Sequence, residues 1–385
     1  MKPFSYANPT RILFGEGQIA AIAKQIPESA RVLVTYGGGS IKANGVYDQV
    51  MAALAGRAVA EFGGIEPNPR YETMMRAAET ARAEKSDFIL AVGGGSVIDG
   101  SKFLAAALKY EGAKPWDLVT GAAKIKGALP LGVVLTLPAT GSESNCGAVV
   151  TNQAEGAKLA FGHPALYPAF AVLDPEATRS LPPRQVANGV ADAFVHVMEQ
   201  YLTRPADGMV QDAYAEGLLR TLIAVGPKTL ADPADKAARA NLMWAANQAL
   251  NGLIAVGVPQ DWATHMIGHE LTALYGVDHA RSLTIVLPAM MRVRAAAKRA
   301  KLLQYAERVW DLRDGPEDAR IGIAIERTEA FFRSLGLPVR LADARLAPEA
   351  VPAVVANLKA HGMTALGEDR AVTPDVAEQV LAAAV

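Results

Sequence analysis

The segment DWATHMIGHELTALYGVDHA, residues 261–280, holds three of the chain's six histidines: His265, His269 and His279. A fourth, His196, stands four residues after Asp192 in VADAFVHVMEQ. Positions four apart share one face of an α-helix, which pairs Asp192 with His196 and His265 with His269. Val190, Phe194 and Val197 lay an apolar stripe beside the first pair. His279 follows Tyr275–Gly276, a helix stop. Asp192, His196, His265 and His279 can therefore converge from two helical segments. Three imidazoles and a carboxylate suit one borderline divalent cation, Fe²⁺ or Zn²⁺, acting as a Lewis acid. The competing reading is a set of separately satisfied side chains. Against it, four of the six histidines fall between 196 and 279, in helices dominated by Ala and Leu. His163 and His361 lack partners at ligand spacing. His361, beside Gly362, sits at a helix end where a cation suits the dipole.

A second chemistry lies in three loops. YGGGSIK (36–42) carries Gly38, Gly39 and Ser40, and VGGGSVIDGSK (92–102) carries Gly94, Gly95, Ser96 and Asp99. Each follows a β-rich run and opens a helix. Glycine lets backbone approach a phosphate, and the helix offers free N–H groups and its positive dipole end. TLPATGSESN (136–145) adds Thr136, Thr140, Ser142 and Ser144, hydroxyls that can bond phosphate or ribose. The competing readings are tight turns with nothing bound and ordinary Ser/Thr helix caps. Two glycine clusters at strand ends favour a ligand, because open α/β sheets bind there. The spacing is not GxGxxG, so this is not a standard Rossmann domain.

The elements that must position these residues are legible by period. ARVLVTYGGG, SDFILAVGGG, ALPLGVVLTLPATG and YPAFAVLDP read as strands; DQVMAALAG and YETMMRAAETARAEK read as helices between the first two glycine clusters. This alternation predicts a parallel sheet covered on both faces. After Leu181–Pro182–Pro183 the pattern becomes long and helical: QVANGVADAFVHVMEQYL, QDAYAEGLLRTLIAVG, KAARANLMWAANQALNGL. We expect an α/β dinucleotide-binding domain over 1–180 and an all-helical metal-binding and substrate domain over 181–385. With 385 residues, 51% apolar and 20% charged, the chain can bury a sizeable core. A net charge of −1 without a long basic run argues against nucleic acid and anionic membrane as partners. No apolar run is long enough to span a bilayer, and MKPFSYANPTRILFG has no apolar signal core. With a single cysteine, Cys146, this leads us to expect a cytoplasmic protein.

RILFGEGQI, FGGIEPNP, AVGGGSVIDGSK, LPATGSESN, AVLDP, LPPRQVANGVADAFVHVMEQY and residues 261–280 together resemble the iron-containing, group III alcohol dehydrogenase family, over essentially the whole chain. The similarity is greatest to its bacterial NADPH-dependent aldehyde reductase, or butanol dehydrogenase, branch. The resemblance implies a Rossmann-like α/β domain plus an all-α domain, a dehydroquinate synthase-like fold, commonly as a homodimer. It assigns Asp192, His196, His265 and His279 to the metal and His269 to a non-ligand position near the nicotinamide. Gly95, Ser96 and Asp99 match the pyrophosphate and ribose loop. Thr136, Thr140 and Ser142 match a hydroxyl-rich cofactor loop, Lys158 a lysine beside the cofactor, and Asn68 the asparagine of the EPNP stretch. Residues 141–146, GSESNC, depart from the alanine-rich version common in the family, which leaves the shape of the substrate pocket open.

Folds that select NAD place an acid near the adenosine ribose. NAD-using members of this family carry aspartate where this chain has Gly38, so Gly38, Gly39 and Ser40, with the Lys42 cation, favour NADP(H). The implied reaction is metal-assisted hydride transfer between NADPH and aldehydes of broad range. His269, or a ribose hydroxyl relayed through it, is the proton donor. Trp262 either lines an apolar substrate pocket or anchors its helix, and Cys146 is expected to be buried and inert. Two rivals remain. A lyase of the dehydroquinate-synthase type needs a basic cluster near the ligands, which the helical region lacks. A non-catalytic metal- or nucleotide-binding protein would bind metal without oxidising NADPH.

Overall fold

The computed structural model describes residues 1–385 and divides into two compact units: Ala7–Leu181, and Pro182–Val385 together with Met1–Tyr6.

In the first unit the strands are β1 (Arg11–Phe14), β2 (Arg31–Tyr36), β3 (Ala58–Phe62), β4 (Phe88–Gly93), β5 (Leu131–Leu135), β6 (Gly147–Asn152), β7 (Ala157–Gly162) and β8 (Phe170–Leu173). The helices are α1 (Ser40–Ala43), α2 (Val46–Ala53), α3 (Tyr71–Ala83), α4 (Gly95–Ala107) and α5 (Asp117–Thr120). Six strands form one sheet in the order β1-β8-β5-β4-β2-β3, parallel throughout. The central strands β4, β5 and β8 are buried along their whole length, which is why they read as continuous apolar runs. Val32, Val34, Leu90, Val92, Val134 and Val172 build one core with Ile19, Ile22, Val46 and Val50. The helix α4 packs over β2, β4 and β5.

The four runs read as strands are β2, β4, β5 and β8. The edge strands β1 and β3 escaped that reading because they are short and only half-buried, so their apolar signal is weak. The antiparallel hairpin β6–β7, a separate two-stranded sheet, was also unread.

The second unit holds α6 (Pro183–Tyr201), α7 (Met209–Ala231), α8 (Lys236–Ala249), α9 (Ala263–Tyr275), α10 (His279–Val293), α11 (Arg299–Trp310), α12 (Glu317–Ser334), α13 (Ala350–Ala360) and α14 (Pro374–Ala382). A proline at its first turn starts α6, where a missing N–H costs nothing. From Val190 to Tyr201 every residue of α6 is buried, so its polar side chains must find partners inside the unit. α9 ends on Gly276 in the left-handed region (φ 67), and His279 is the first residue of α10. The first six residues pack with this helical unit: Lys2 N–H donates to Gly257 O at 2.9 Å, and the Met1 amino group to Ala206 O at 2.7 Å. No helix is long and apolar enough to cross a membrane.

Candidate active site

Helix periodicity brings Asp192 and His196 to one face of α6, and His265 and His269 to one face of α9. Packing then sets α6 and α9 together with the first turn of α10, so the groups come from three helices rather than two segments. Asp192 Oδ1 is buried and makes no hydrogen bond. Around it stand His279 Nε2 at 3.5 Å, His196 Nε2 at 3.6 Å and His265 Nε2 at 4.0 Å. The ligand atoms of Asp192, His265 and His279 all lie within 4.8 Å of one another. Metal–ligand bonds of about 2.1 Å in tetrahedral geometry separate neighbouring ligand atoms by about 3.4 Å. The distances from Asp192 Oδ1 to His279 and His196 are close to that edge, that to His265 is longer, and all are too long for good hydrogen bonds; His196 lies outside the compact group of Asp192, His265 and His279. A buried carboxylate oxygen without a donor is costly, and a cation there would remove the cost. The donor set fits one divalent cation.

His269 is buried one turn beyond His265, with its ring centroid 5.0 Å from that of His279. Trp262 adopts a left-handed backbone (φ 65) just before α9 and lies against the cluster, its ring centroid 5.2 Å from His265 and 6.1 Å from His196. Its indole N–H donates to Gln260 Oε1 at 2.8 Å.

Sequence reading missed Glu199, which lies three residues beyond His196 and seven beyond Asp192, on the same face of α6. That spacing was the available signal. Its Oε2 pairs with His265 Nδ1, and its Oε1 accepts the Thr264 N–H at 2.6 Å. Burial pushes the Glu199 carboxyl well above its ordinary range. The Asp261 charge pushes the same way, and the Thr264 and His265 N–H groups pull it back. The other two histidines sit elsewhere. His163 Nδ1 caps a turn by accepting the Ala165 N–H at 3.2 Å, and His361, at the end of α13, lies 2.9 Å from Glu270 Oε1.

In the α/β unit the loops after β4 and β5 pack backbone to side chain. A Cβ on Gly95 would stand 2.5 Å from Thr140 Cγ2, and one on Gly94 would stand 3.0 Å from Leu137 Cβ, so these positions need glycine. Ser96 Oγ accepts the Asn68 N–H at 3.2 Å, and Asn68 Oδ1 accepts from Lys158 Nζ at 2.8 Å. Gly94, Gly95, Ser96, Asn68, Thr140 and Lys158 are thus gathered around the start of α4, with Thr136 N–H bonded to Gly93 O at 3.0 Å.

Asp99 and Ser142 are engaged internally. Ser142 Oγ donates to Asp99 Oδ1 at 2.6 Å, and Val149 N–H donates to Asp99 Oδ2 at 2.9 Å. Lys102, also missed, donates to Ser142 Oγ (2.8 Å), Asn145 Oδ1 (3.0 Å) and Gly147 O (2.7 Å). Burial pushes the Lys102 ammonium down to about 8, against the opposing pull of Asp99 and Glu143. Cys146 is half-buried rather than fully buried.

Gly38, Gly39 and Ser40 follow β2, the neighbour of β4 in the sheet. Lys42 Nζ sits 3.5 Å from Glu61 Oε2 and over the rings of Tyr36 and Tyr47, at 5.0 and 4.7 Å from their centroids. Both tyrosine hydroxyls donate to the same carboxylate. The cation expected near the adenosine phosphate is therefore already paired, through a residue that no local spacing marked.

Comparison with known proteins gives a consistent picture. A family model described as iron-containing alcohol dehydrogenase matches residues 9–175, and one for the C-terminal part of the Fe-containing alcohol dehydrogenase family matches residues 186–385. The chain is 58% identical over 386 residues to the NADPH-dependent aldehyde reductase YqhD of Escherichia coli (strain K12), covering 100% of both. It is 41% identical over 349 residues to NADP-dependent alcohol dehydrogenase 3 of Entamoeba histolytica, covering 89% of each. Among solved structures, the substrate and cofactor-free form of the aldehyde reductase YqhD from E. coli superposes with a TM-score of 0.95 at 56% identity, covering 100% of both chains. NADH-dependent butanol dehydrogenase A from Thermotoga maritima gives a TM-score of 0.95 at 36% identity, covering 100% of this chain and 99% of that one.

Proposed function

This chain belongs to the iron-containing alcohol dehydrogenase family, and we propose that it is an NADPH-dependent aldehyde reductase carrying one divalent metal, Fe²⁺ or Zn²⁺, on Asp192, His196, His265 and His279. The observation that carries the proposal is the ring of three imidazole Nε2 atoms around the unbonded Asp192 Oδ1. When bound, the cation supplies Lewis-acid polarisation of an aldehyde carbonyl, and NADPH supplies the hydride.

The chain's own residues do the rest. His269, buried beside the ligands but outside their ring, delivers the proton to the product oxygen. Trp262 shields the histidines with an apolar face and lines the substrate side. The start of α4, with Gly94, Gly95 and Ser96, receives the pyrophosphate on free backbone N–H groups. Asn68, Thr136, Thr140 and Lys158 hold the cofactor around that loop, and Asp99 and Ser142 keep the loop in shape through their mutual bond. Gly38, Gly39 and Ser40 leave room for a 2′-phosphate, since a Cβ at Gly38 would meet nothing within 4 Å. The same reading includes a homodimer, in the cytoplasm, where a lone thiol stays reduced.

The test is metal analysis of protein purified without added metal, joined to an NADPH-oxidation screen across aldehyde chain lengths. About one metal per chain and turnover on several aldehydes are expected. Bound metal with no NADPH oxidation on any aldehyde would leave a binding protein instead.

A further inference from the structure

The metal set proposed above is the premise here: we infer that Glu199 is a positioning residue, whose carboxylate holds the His265 ring by Nδ1 so that Nε2 is presented to the cation. The side chain is buried on α6, on the face that carries Asp192 and His196. Its Oε2 meets His265 Nδ1, while its Oε1 accepts the N–H of Thr264 at 2.6 Å and of His265 at 3.4 Å. The Glu199 backbone carbonyl also accepts the Asp261 N–H at 2.9 Å. One residue therefore ties the entry and first turn of α9 to α6.

The orientation of the ring follows from these bonds. A cation can only take the nitrogen that carries no proton, and His265 Nε2 is the nitrogen facing Asp192 Oδ1. The remaining proton must then sit on Nδ1, where Glu199 Oε2 is its acceptor. A carboxylate acceptor also makes the imidazole a stronger donor to the metal.

A helix cap would account for the Thr264 and His265 N–H bonds alone, and Glu199→Gln separates the two roles. The amide oxygen can keep the backbone bonds, but the amide NH₂ group then faces Nδ1 and needs an acceptor there. Turning the amide over restores an acceptor to Nδ1 but sets NH₂ against the Thr264 N–H. Neither arrangement serves both partners.

The experiment uses the full chain loaded with Zn²⁺, as wild type, Glu199→Gln and His265→Ala. Zinc affinity is read by competition with a chromophoric chelator. The bonded imidazole N–H is read as a low-field proton resonance, assigned by its absence in His265→Ala. We expect Glu199→Gln to bind zinc about 10- to 100-fold more weakly and to lose the low-field resonance. Wild-type affinity in Glu199→Gln overturns the inference. Weaker binding with the resonance unchanged overturns it too and leaves a helix cap. If His265→Ala itself keeps wild-type zinc affinity, the metal set fails, which is a different result from failure of Glu199 alone.

Discussion

Gly38→Asp tests the cofactor reading where the structure makes the outcome computable. Gly38 is exposed, its φ is outside the left-handed region, and an added Cβ has open space. Its neighbours are less tolerant: Gly39 has φ 92, and a Cβ on Gly37 would stand 3.3 Å from Ile65 O. The aspartate should therefore fold in without strain, and its effect should be electrostatic. Two unit charges 4 Å apart interact by about 1 kcal/mol in bulk water and about 4 kcal/mol at an effective dielectric of about 20. The site is solvent-facing and salt screens over about 8 Å, so roughly 1.4–2.8 kcal/mol is the reasonable loss for a 2′-phosphate beside this loop. That is about 10- to 100-fold in kcat/KM for NADPH. NADH should lose nothing and can gain a bond from its ribose hydroxyl to the new carboxylate. The assay is kcat/KM for both cofactors with one aldehyde, at low and high salt. The NADPH penalty should shrink at high salt. An unchanged NADPH/NADH ratio would refute the placement of the phosphate. An equal loss with both cofactors would show a damaged loop rather than a charge effect.

Other outcomes follow from the same geometry. Glu61→Gln should lower the KM for NADPH severalfold and leave NADH unchanged, because it releases Lys42 from its carboxylate partner; a raised or unaltered KM for NADPH counts against a role for Lys42. His265→Ala should remove bound metal and nearly all turnover, since it takes one of three imidazoles from Asp192 Oδ1, and stoichiometric metal with wild-type rates would defeat the ligand assignment. His269→Ala should keep its metal and bind NADPH while kcat falls by about 10- to 10⁴-fold, the scale of losing a general acid with water as substitute; metal and turnover measured on one preparation from pH 5.5 to 9 decide it, because loss of both together would make His269 a ligand.

Local spacing carried a good deal of this protein. The period of 3.6 is a property of the chain itself, so Asp192 with His196, and His265 with His269, share helix faces whatever packs against them. Buried parallel strands such as β4 and β5 announce themselves as unbroken apolar runs, and glycines before α4 mark a backbone that must approach something closely. What local spacing could not carry are the pairings between residues far apart along the chain. Glu199 reaches His265, 66 residues away, only because α6 and α9 both pack against α10. Lys102 is claimed by the 142–147 loop, some 40 residues on, and Lys42 by Glu61 on an edge strand too short to read. The side-chain types in these pairs are ordinary surface residues in a sequence. For Glu199 and Lys102 burial is what gives them partners, because a buried charge must be paired, whereas the Lys42–Glu61 pair lies at the surface and exists because β2 and β3 lie side by side. The first six residues, exposed and with no periodic signal of their own, likewise join the helical unit through contacts far along the chain, hydrogen bonds to Ala206 and Gly257.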